Sequence, residues 1–306
     1  MPPAATIVVP TYARPDLVRE AVDSALAQTV GDHEVVVVDD ASPEAVSLPQ
    51  HPRLRIVRLA RNGGGAAARN AGLREARGRY VTYLDDDDRL RPTHLEVAFE
   101  ALSATDMPAP VASLSGTAVM VGDDVRETRL PPTFGRGAHF GLEPLPPGRH
   151  FGTKATLVVE VEVLRSIGGW DEAFRSRVHT ELFLRLNPAC SILGIPTVTY
   201  EHRTHTGDRI TADPVRREQS MLQLLDKHRA AFAAHRQAHA GMVFEQAMHM
   251  WLGGHRSAAL AMWARSVRAH PGAAGRRTAR ALRERVAYAR SGGASVAAAI
   301  GGAGSR

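Results

Sequence analysis

Over the first hundred positions apolar residues come in short unbroken runs, and each run stops at a polar cluster. Thr6-Ile7-Val8-Val9-Pro10, Glu34 to Val38, Leu54 to Leu59 and Tyr80 to Leu84 are short, rich in β-branched residues and bounded by turn formers, so they predict buried strands. Between them the spacing turns helical. Pro15 opens one helix, with apolar residues at Leu17, Val18, Ala21, Val22, Ala25 and Leu26. Gly63-Gly64-Gly65 breaks the chain before a helix over Ala66 to Ala76, which Gly78 ends. Pro92 to Ala104 predicts a third helix.

Beyond residue 104 the pattern loosens. Residues 105 to 152 are rich in Pro and Gly and predict short strands with a mobile loop around 131–152. Leu157 to Val163 reads as strand, Thr180 to Leu186 as a short helix stopped before Pro188, and Ile195 to Tyr200 as a late strand. From Pro214 to about Arg290 the chain is helical, in segments Ser220–Arg236, Met242–Leu252, Arg256–Ala269 and Arg276–Arg290 that read as paired antiparallel helices. The remainder, Gly292 to Arg306, is a Gly/Ala/Ser tail expected to be disordered.

Strands alternating with helices at this spacing predict βαβ units, hence a mostly parallel sheet flanked by helices. Such sheets bind ligands beyond the carboxyl ends of their strands. The polar clusters fall there: Thr11-Tyr12 after the first strand, Asp39-Asp40 after the second, Asp85 to Asp88 after the fourth. The expected organisation is an α/β domain over 1–213, divided into halves at 1–104 and 105–213, then a helical region over 214–290 and a tail over 291–306.

Composition narrows this further. At 44% hydrophobic and 23% charged the chain is an ordinary globular one. Its single cysteine, Cys190, lies in an apolar run and reads as a buried small residue, and it leaves no internal disulfide to form. No run approaches the length of a membrane span, and the first residues lack a basic leader, so a cytoplasmic location is expected. The net charge of +6 is unevenly spread. From residue 214 on there are fifteen Arg or Lys against four Asp or Glu, while the first 213 residues are net acidic. The bland reading is a solvated arginine face; the functional one is an anionic partner, for which contact with the inner face of an anionic membrane is the expectation. No aromatic-interleaved basic motif supports nucleic acid as that partner.

Four aspartates in a row after a strand repel one another unless a cation neutralises them. A hard divalent ion, Mg²⁺ or Mn²⁺, takes one or two carboxylates and shares phosphate oxygens. The competing structural role is a helix N-cap, which suits Asp88 best. Asp39-Asp40 could meet a base or a ribose, or could simply make a turn. The triple glycine would let backbone approach a phosphate. A dinucleotide-binding fold is disfavoured, because its glycines follow the first strand and these follow the third.

Taken in order, Ile7-Val8-Val9-Pro10-Thr11-Tyr12-Ala13-Arg14-Pro15, Val36 to Ser42, Arg61 to Gly72 and Gly78 to Asp88 resemble the nucleotide-binding half of family 2 glycosyltransferases. The resemblance covers about the first 210 residues and thins after 105. It implies the GT-A fold with a C-terminal helical appendage, a nucleotide-diphospho-sugar donor with UDP or dTDP as the likeliest nucleotide, an acceptor it does not identify, and inverting in-line displacement. Pro10, Thr11, Tyr12, Arg14, Asp39 and Asp40 would line base and ribose, with Asn62, Gly65, Arg69 and Asn70 facing the nucleotide. Asp85, Asp86 and Asp87 contain the family's Asp-x-Asp element, Asp87 with Asp85 holding the metal and Asp86 meeting ribose or metal.

Ile167-Gly168-Gly169-Trp170-Asp171-Glu172 matches the acceptor-side motif, so Gly169, Trp170 and Asp171 are expected beside the acceptor. Trp170 could stack on a sugar or pack beneath the site. Arg203 and His205 would lie near the diphosphate. One departure matters: where the family places an aspartate as general base, this chain has His179. A neutral imidazole can take a proton at neutral pH, so His179 is the expected base and Glu181 its rival. The alternative is a nucleotide-sugar-binding protein that has lost catalysis.

Overall fold

In β1 (Ala5–Thr11) and β2 (His33–Asp39) all seven residues are buried. Successive side chains leave a strand on opposite faces, so an unbroken apolar run must be covered on both sides. Val8, Val36 and Val38 pack on one face against α2 (Gly65–Glu75) and α5 (Val178–Ala189). Ile7, Val9, Val35 and Val37 pack on the other against α1 (Pro15–Leu26) and Leu95 of α3 (His94–Ala104). The result is a sheet between two helical layers.

The computed structural model describes residues 2–204 and 214–290. The expected tail and His205 lie outside these residues. The chain divides into two units, Met1–Phe140 with Arg149–Gly207, and Gly141–Gly148 with Asp208–Arg306. The sheet belongs to the first unit. Its strand order is β3 (Leu54–Arg58), β2, β1, β4 (Tyr80–Tyr83), β8 (Val158–Glu160), β6 (Val111–Val121), β9 (Ser191–Thr204) and β5 (Arg89–Leu90), with β7 (Asp124–Arg129) paired to β6. The strands β3 (Leu54–Arg58), β2, β1 and β4 (Tyr80–Tyr83) are parallel, as the alternating pattern predicts. The register sets Thr11 of β1 beside Asp39 of β2, so the two polar clusters are neighbours. Close approach of α2 to β1 depends on Gly72, where a Cβ would sit 2.2 Å from Val8 Cγ1.

The later strands differ from expectation. Residues 105–152 hold not short strands but the eleven-residue β6 (Val111–Val121) and the edge strand β7 (Asp124–Arg129). The expected strand at Leu157–Val163 is only β8 (Val158–Glu160), antiparallel to β4, followed at once by α4 (Val161–Ser166). The late strand is β9 (Ser191–Thr204), parallel to β6 along its length, with the two-residue β5 (Arg89–Leu90) on its far side. Helix α5 runs through Pro188 to Ala189 rather than stopping before it. A proline in the last turn removes only one bond near a helix end, where carbonyls already lack partners.

The second unit is helical, as expected, with shifted boundaries: α6 (Pro214–Lys227), α7 (Arg229–Ala234), α8 (Arg236–Leu252), α9 (Arg256–Ala269) and α10 (Pro271–Arg290). Its core is Met221, Leu224, Phe232, Val243, Phe244, Met250 and Met262. Ser266 at the small face of α9 donates to the Ala240 carbonyl at 2.8 Å, which brings α8 and α9 close.

Candidate active site

The turns after β1 and β2 are built as a pair. Each carries an alanine in the left-handed region, Ala13 at φ 55° and Ala41 at φ 60°. Such backbone costs an L-residue about 1 kcal/mol and persists only where the surroundings impose it. Here Ser42 imposes it in part, since the Ala13 amide donates to its hydroxyl at 2.9 Å. Asp39 accepts from the Ser42 amide at 2.8 Å, the Val46 amide at 3.3 Å and Arg58 at 3.1 Å. Burial pushes the Asp39 carboxyl up, but the Ser42 hydroxyl and amide, the Val46 amide and Arg58 outweigh it and hold the group below its usual range. Asp40 accepts from the amides of Gly63 and Gly64 at 2.8 and 2.7 Å, pinning the glycine loop that leads into α2.

The end of β4 is organised otherwise. Asp86 accepts from the Thr11 hydroxyl at 2.7 Å and from Arg14 at 3.0 Å; Arg14 also donates to Asp87 at 3.0 Å. Asp85 accepts from Arg69, whose guanidinium lies over the Trp170 ring at 5.0 Å. Burial raises the Asp86 carboxyl to about 6; Thr11 and Arg14 oppose that rise, and the charges of Asp87 and Asp85 add to it. Two arginines therefore stand against three crowded carboxylates. Asp88 belongs to a different structure. It is buried and accepts from Tyr200 at 2.7 Å, His202 at 3.1 Å and the Arg203 amide at 2.9 Å. It ties the turn to β9 and caps no helix, which corrects the N-cap expectation: α3 begins six residues later.

In the turn after α4, Gly168 and Gly169 take φ of 82° and 65°. A Cβ on Gly169 would lie 2.6 Å from Asn70 Oδ1. Asn70 grips this turn, donating to the Trp170 carbonyl and to Glu172 at 2.8 Å and accepting from the Trp170 amide at 2.8 Å. Trp170 is 2% exposed and meets Tyr83 edge-on at 5.0 Å, so it packs beneath the site rather than offering a stacking face. Asp171 caps its own turn through the Ala173 amide at 2.9 Å.

His179 lies in the first turn of α5, edge-on to Trp170 at 5.0 Å, and no hydrogen bond to its ring exists among the described residues. Burial lowers its imidazole to about 3, with the Arg69 charge adding and the Asp85 charge opposing. Glu181, its rival, is fully buried and bound two-pronged to Arg185 at 2.6 and 2.7 Å, one turn along the helix. Arg185 also donates to the carbonyls of Ile167 and Gly169 at 2.6 and 2.8 Å. Glu181 thus orients the clamp on the glycine turn and is not presented to a substrate. The i,i+4 spacing of Glu181 and Arg185 was legible in the sequence and was not weighed.

The remaining expected residues divide. Pro10 is buried in β1 opposite Val38, while Tyr12 (46% exposed) and Asn62 are open to solvent and Gly65 opens α2. Arg203 is held by Glu20 of α1 at 2.5 Å, which is shared with Arg89 at the same distance. Sequence reasoning missed Ser42, Arg58 and Arg175; the last donates to the Gly63 carbonyl at 2.6 Å. Arg58 and Arg175 act across 19 and 112 residues, and the Ser42 hydroxyl across 29, so no local pattern marks these contacts.

A parallel four-stranded half with a carboxylate cluster beyond the end of β4 is the architecture of the GT-A fold. Residues 6–156 match the family model described as glycosyl transferase family 2, and that part of the chain belongs to the family. It is 39% identical over 138 residues to the succinoglycan biosynthesis protein ExoO of Rhizobium meliloti, covering 42% of this chain and 40% of that one. It is 36% identical over 104 residues to the putative teichuronic acid biosynthesis glycosyltransferase TuaG of Bacillus subtilis, covering 32% and 41%. The chain thus spans about two fifths of the length of these curated relatives. A crystal structure of S. aureus TarS 1-349 in complex with UDP-GlcNAc shares the fold, with a TM-score of 0.56 at 19% identity over 72% of this chain and 65% of that one.

Proposed function

We propose that the protein transfers a sugar from a nucleoside diphosphate to an acceptor hydroxyl, with inversion at the anomeric carbon. The observation that carries this is the carboxylate cluster of Asp85, Asp86 and Asp87 at the carboxyl end of β4, three carboxylates that share the two arginines Arg14 and Arg69. The oxygen donor set and its excess negative charge fit a hard divalent cation. The three do not form a closed three-ligand cluster. That agrees with an ion held by one or two carboxylates plus substrate phosphates, Asp87 and Asp85 being the ligands. Mn²⁺ or Mg²⁺, when bound, supplies Lewis-acid stabilisation of the leaving diphosphate. Thr11 and Arg14 orient Asp86, and the paired turns after β1 and β2 shape the place of base and ribose. The neighbour's complex with UDP-GlcNAc supports a UDP-sugar donor.

His179 accepts the proton of the acceptor hydroxyl as its oxygen attacks the anomeric carbon and the bond to diphosphate breaks. An imidazole lowered to about 3 is a weak base in the free protein, and an arriving diphosphate, being anionic, raises it. The same weakness favours a second reading, a nucleotide-sugar binder without turnover. Release of UDP from a UDP-sugar in the presence of acceptor separates the two.

The helical unit is proposed to contact an anionic membrane face in the cytosol. Leu252, Leu260, Trp263 and Leu282 are exposed, and seven arginines without one acidic residue lie between Glu245 and Glu284. Among the described residues no helix is long and apolar enough to cross a membrane. Equal binding to neutral and anionic vesicles at low salt would remove this contact.

The test of the donor site is thermal stability against a panel of nucleoside diphosphates, with and without Mn²⁺, for wild type and Asp87→Ala. A metal-dependent rise with one nucleotide, absent in the variant, supports the reading and names the base. No rise with any nucleotide overturns it.

A further inference from the structure

Arg69 of α2 is 7% exposed, and its guanidinium sits between the glycine loop and the aspartate turn. Gly65 makes room for it, since a Cβ there would lie 2.8 Å from Arg69 Nη1. Nη2 pairs with Asp85, and the guanidinium lies over the Trp170 ring at 5.0 Å. Its buried Nε has no hydrogen-bond partner among the described residues. Asp85 is one of the two proposed ligands of the divalent cation, and Arg69 already takes one of its oxygens. Arg14 does the same at Asp87, at 3.0 Å. The two arginines are not equivalent. The Arg14 side chain is 28% exposed, so it can leave its carboxylates for water with little loss. Arg69 has no such exit. A buried guanidinium that loses its carboxylate is an uncompensated charge, which is strongly destabilising unless another anion takes that place. A divalent cation alone brings only more positive charge, whereas a nucleoside diphosphate brings the anion.

We infer that Arg69 is a latch on the metal site, a positioning residue that keeps hold of Asp85 until a diphosphate arrives with the cation. The inference rests on the transferase reading, in which Asp85 is a metal ligand. Metal and nucleotide are then coupled through one side chain. Each alone meets an occupied carboxylate or lacks its partner, and each strengthens the binding of the other by the same factor. The seat over Trp170 keeps the guanidinium in place during the exchange, and the diphosphate offers the negative charge that Asp85 withdraws. A merely structural Arg69 would only brace α2 against the aspartate turn.

The test is Mn²⁺ binding to the full-length protein, followed by the electron paramagnetic resonance of the free ion, with and without UDP. Wild type, Arg69→Met and Arg69→Lys are compared. Methionine keeps an apolar stem on the Trp170 ring and removes the charge. In the wild type UDP should tighten Mn²⁺ binding about tenfold or more. In Arg69→Met, Mn²⁺ without nucleotide should bind about tenfold tighter than to the wild type, and the added effect of UDP should shrink. Arg69→Lys should stay near the wild type, and Asp85→Asn combined with Arg69→Met should lose the gain. A bracing role predicts the opposite sign, because removing the brace loosens the site and weakens Mn²⁺ binding. Unchanged or weaker Mn²⁺ binding by Arg69→Met therefore overturns the inference. Thermal unfolding is read on each variant, and Arg69→Gln, a neutral donor to Asp85, takes the same measurement if Arg69→Met does not fold. The nucleotide-free samples decide the latch. The wild type with UDP and Mn²⁺ decides the donor reading separately, since absence of any binding there removes the donor site itself.

Discussion

The ends of β2 and β4 carry the same side chain at the same kind of place, and the protein uses them in opposite ways. Asp39 and Asp40 are surrounded by backbone amides and, for Asp39, by Arg58. They accept what the turns must donate, and the chain leaves these carboxylates little to offer a ligand. Asp86 is equally buried but faces other carboxylates, and its proton affinity rises to about 6. Burial alone does not separate structural from functional aspartates. The balance of donors against neighbouring charge does.

Removing a carboxylate from each place should therefore change stability with opposite sign. Asp39→Ala orphans two amides and a guanidinium, and is expected to cost about 3–5 kcal/mol in urea unfolding. A loss below that of an ordinary surface substitution would break the comparison. Asp86→Asn is expected to stabilise the ligand-free protein by about 2 kcal/mol at pH 7, because it removes a charge held at a cost, keeps one acceptor oxygen for Arg14 and turns its amide N–H to the Thr11 hydroxyl, which can accept. The sign follows from the raised proton affinity. The folded state holds a proton between pH 4 and about 6 that the unfolded state has released, so wild-type stability from this group falls as pH rises through that window. The advantage of Asp86→Asn should thus be full at pH 7 and vanish near pH 4, while its Mn²⁺-dependent nucleotide shift is lost at every pH.

A smaller contrast repeats the first within α5. Glu181→Ala leaves Arg185 without its buried partner and loosens the clamp on Ile167 and Gly169. Its expected cost is about 2–3 kcal/mol, measured by the same unfolding. If Glu181→Ala folds normally and only turnover falls, the assignment of Glu181 to structure is wrong.

The sequence was informative where chemistry and local pattern coincide. Four short apolar runs, each stopped by a polar cluster, were enough to place β1 to β4, because a strand buried on both faces has no other way to read. The position of the aspartate run at a strand end followed from the same pattern. Beyond residue 104 legibility fell. The strand β6 interleaves the buried Ser113, Ser115 and Thr117 with apolar residues, and Ser115 bonds to Thr156 and Thr199, partners that no local window reveals. The split between Asp87 and Asp88, adjacent in sequence, is set by Tyr200 and His202, more than a hundred residues away. The turn that Asn70 grips is likewise a hundred residues distant.

His179 is the case in which structure and chemistry should separate most cleanly. Its ring makes no hydrogen bond among the described residues and packs edge-on to Trp170, so His179→Ala should cost about 1 kcal/mol of packing at pH 7. Acid makes the difference visible. The folded protein holds this imidazole neutral down to about 3, whereas the unfolded chain binds a proton below about 6.5. The wild type is therefore expected to lose stability relative to His179→Ala as pH falls from 6.5 towards 3, the reverse of the trend at Asp86. Turnover should fall roughly 10²–10⁴-fold if His179 takes the acceptor's proton. A variant that keeps the wild-type rate from pH 5 to 9, yet shows the acid stability gain, would leave the buried imidazole in place and remove it from the reaction. Because an arriving diphosphate raises the imidazole, the acid limb of kcat should lie at higher pH than that of kcat/KM, and a His179→Gln enzyme should lose that limb without shifting its Mn²⁺-dependent nucleotide binding.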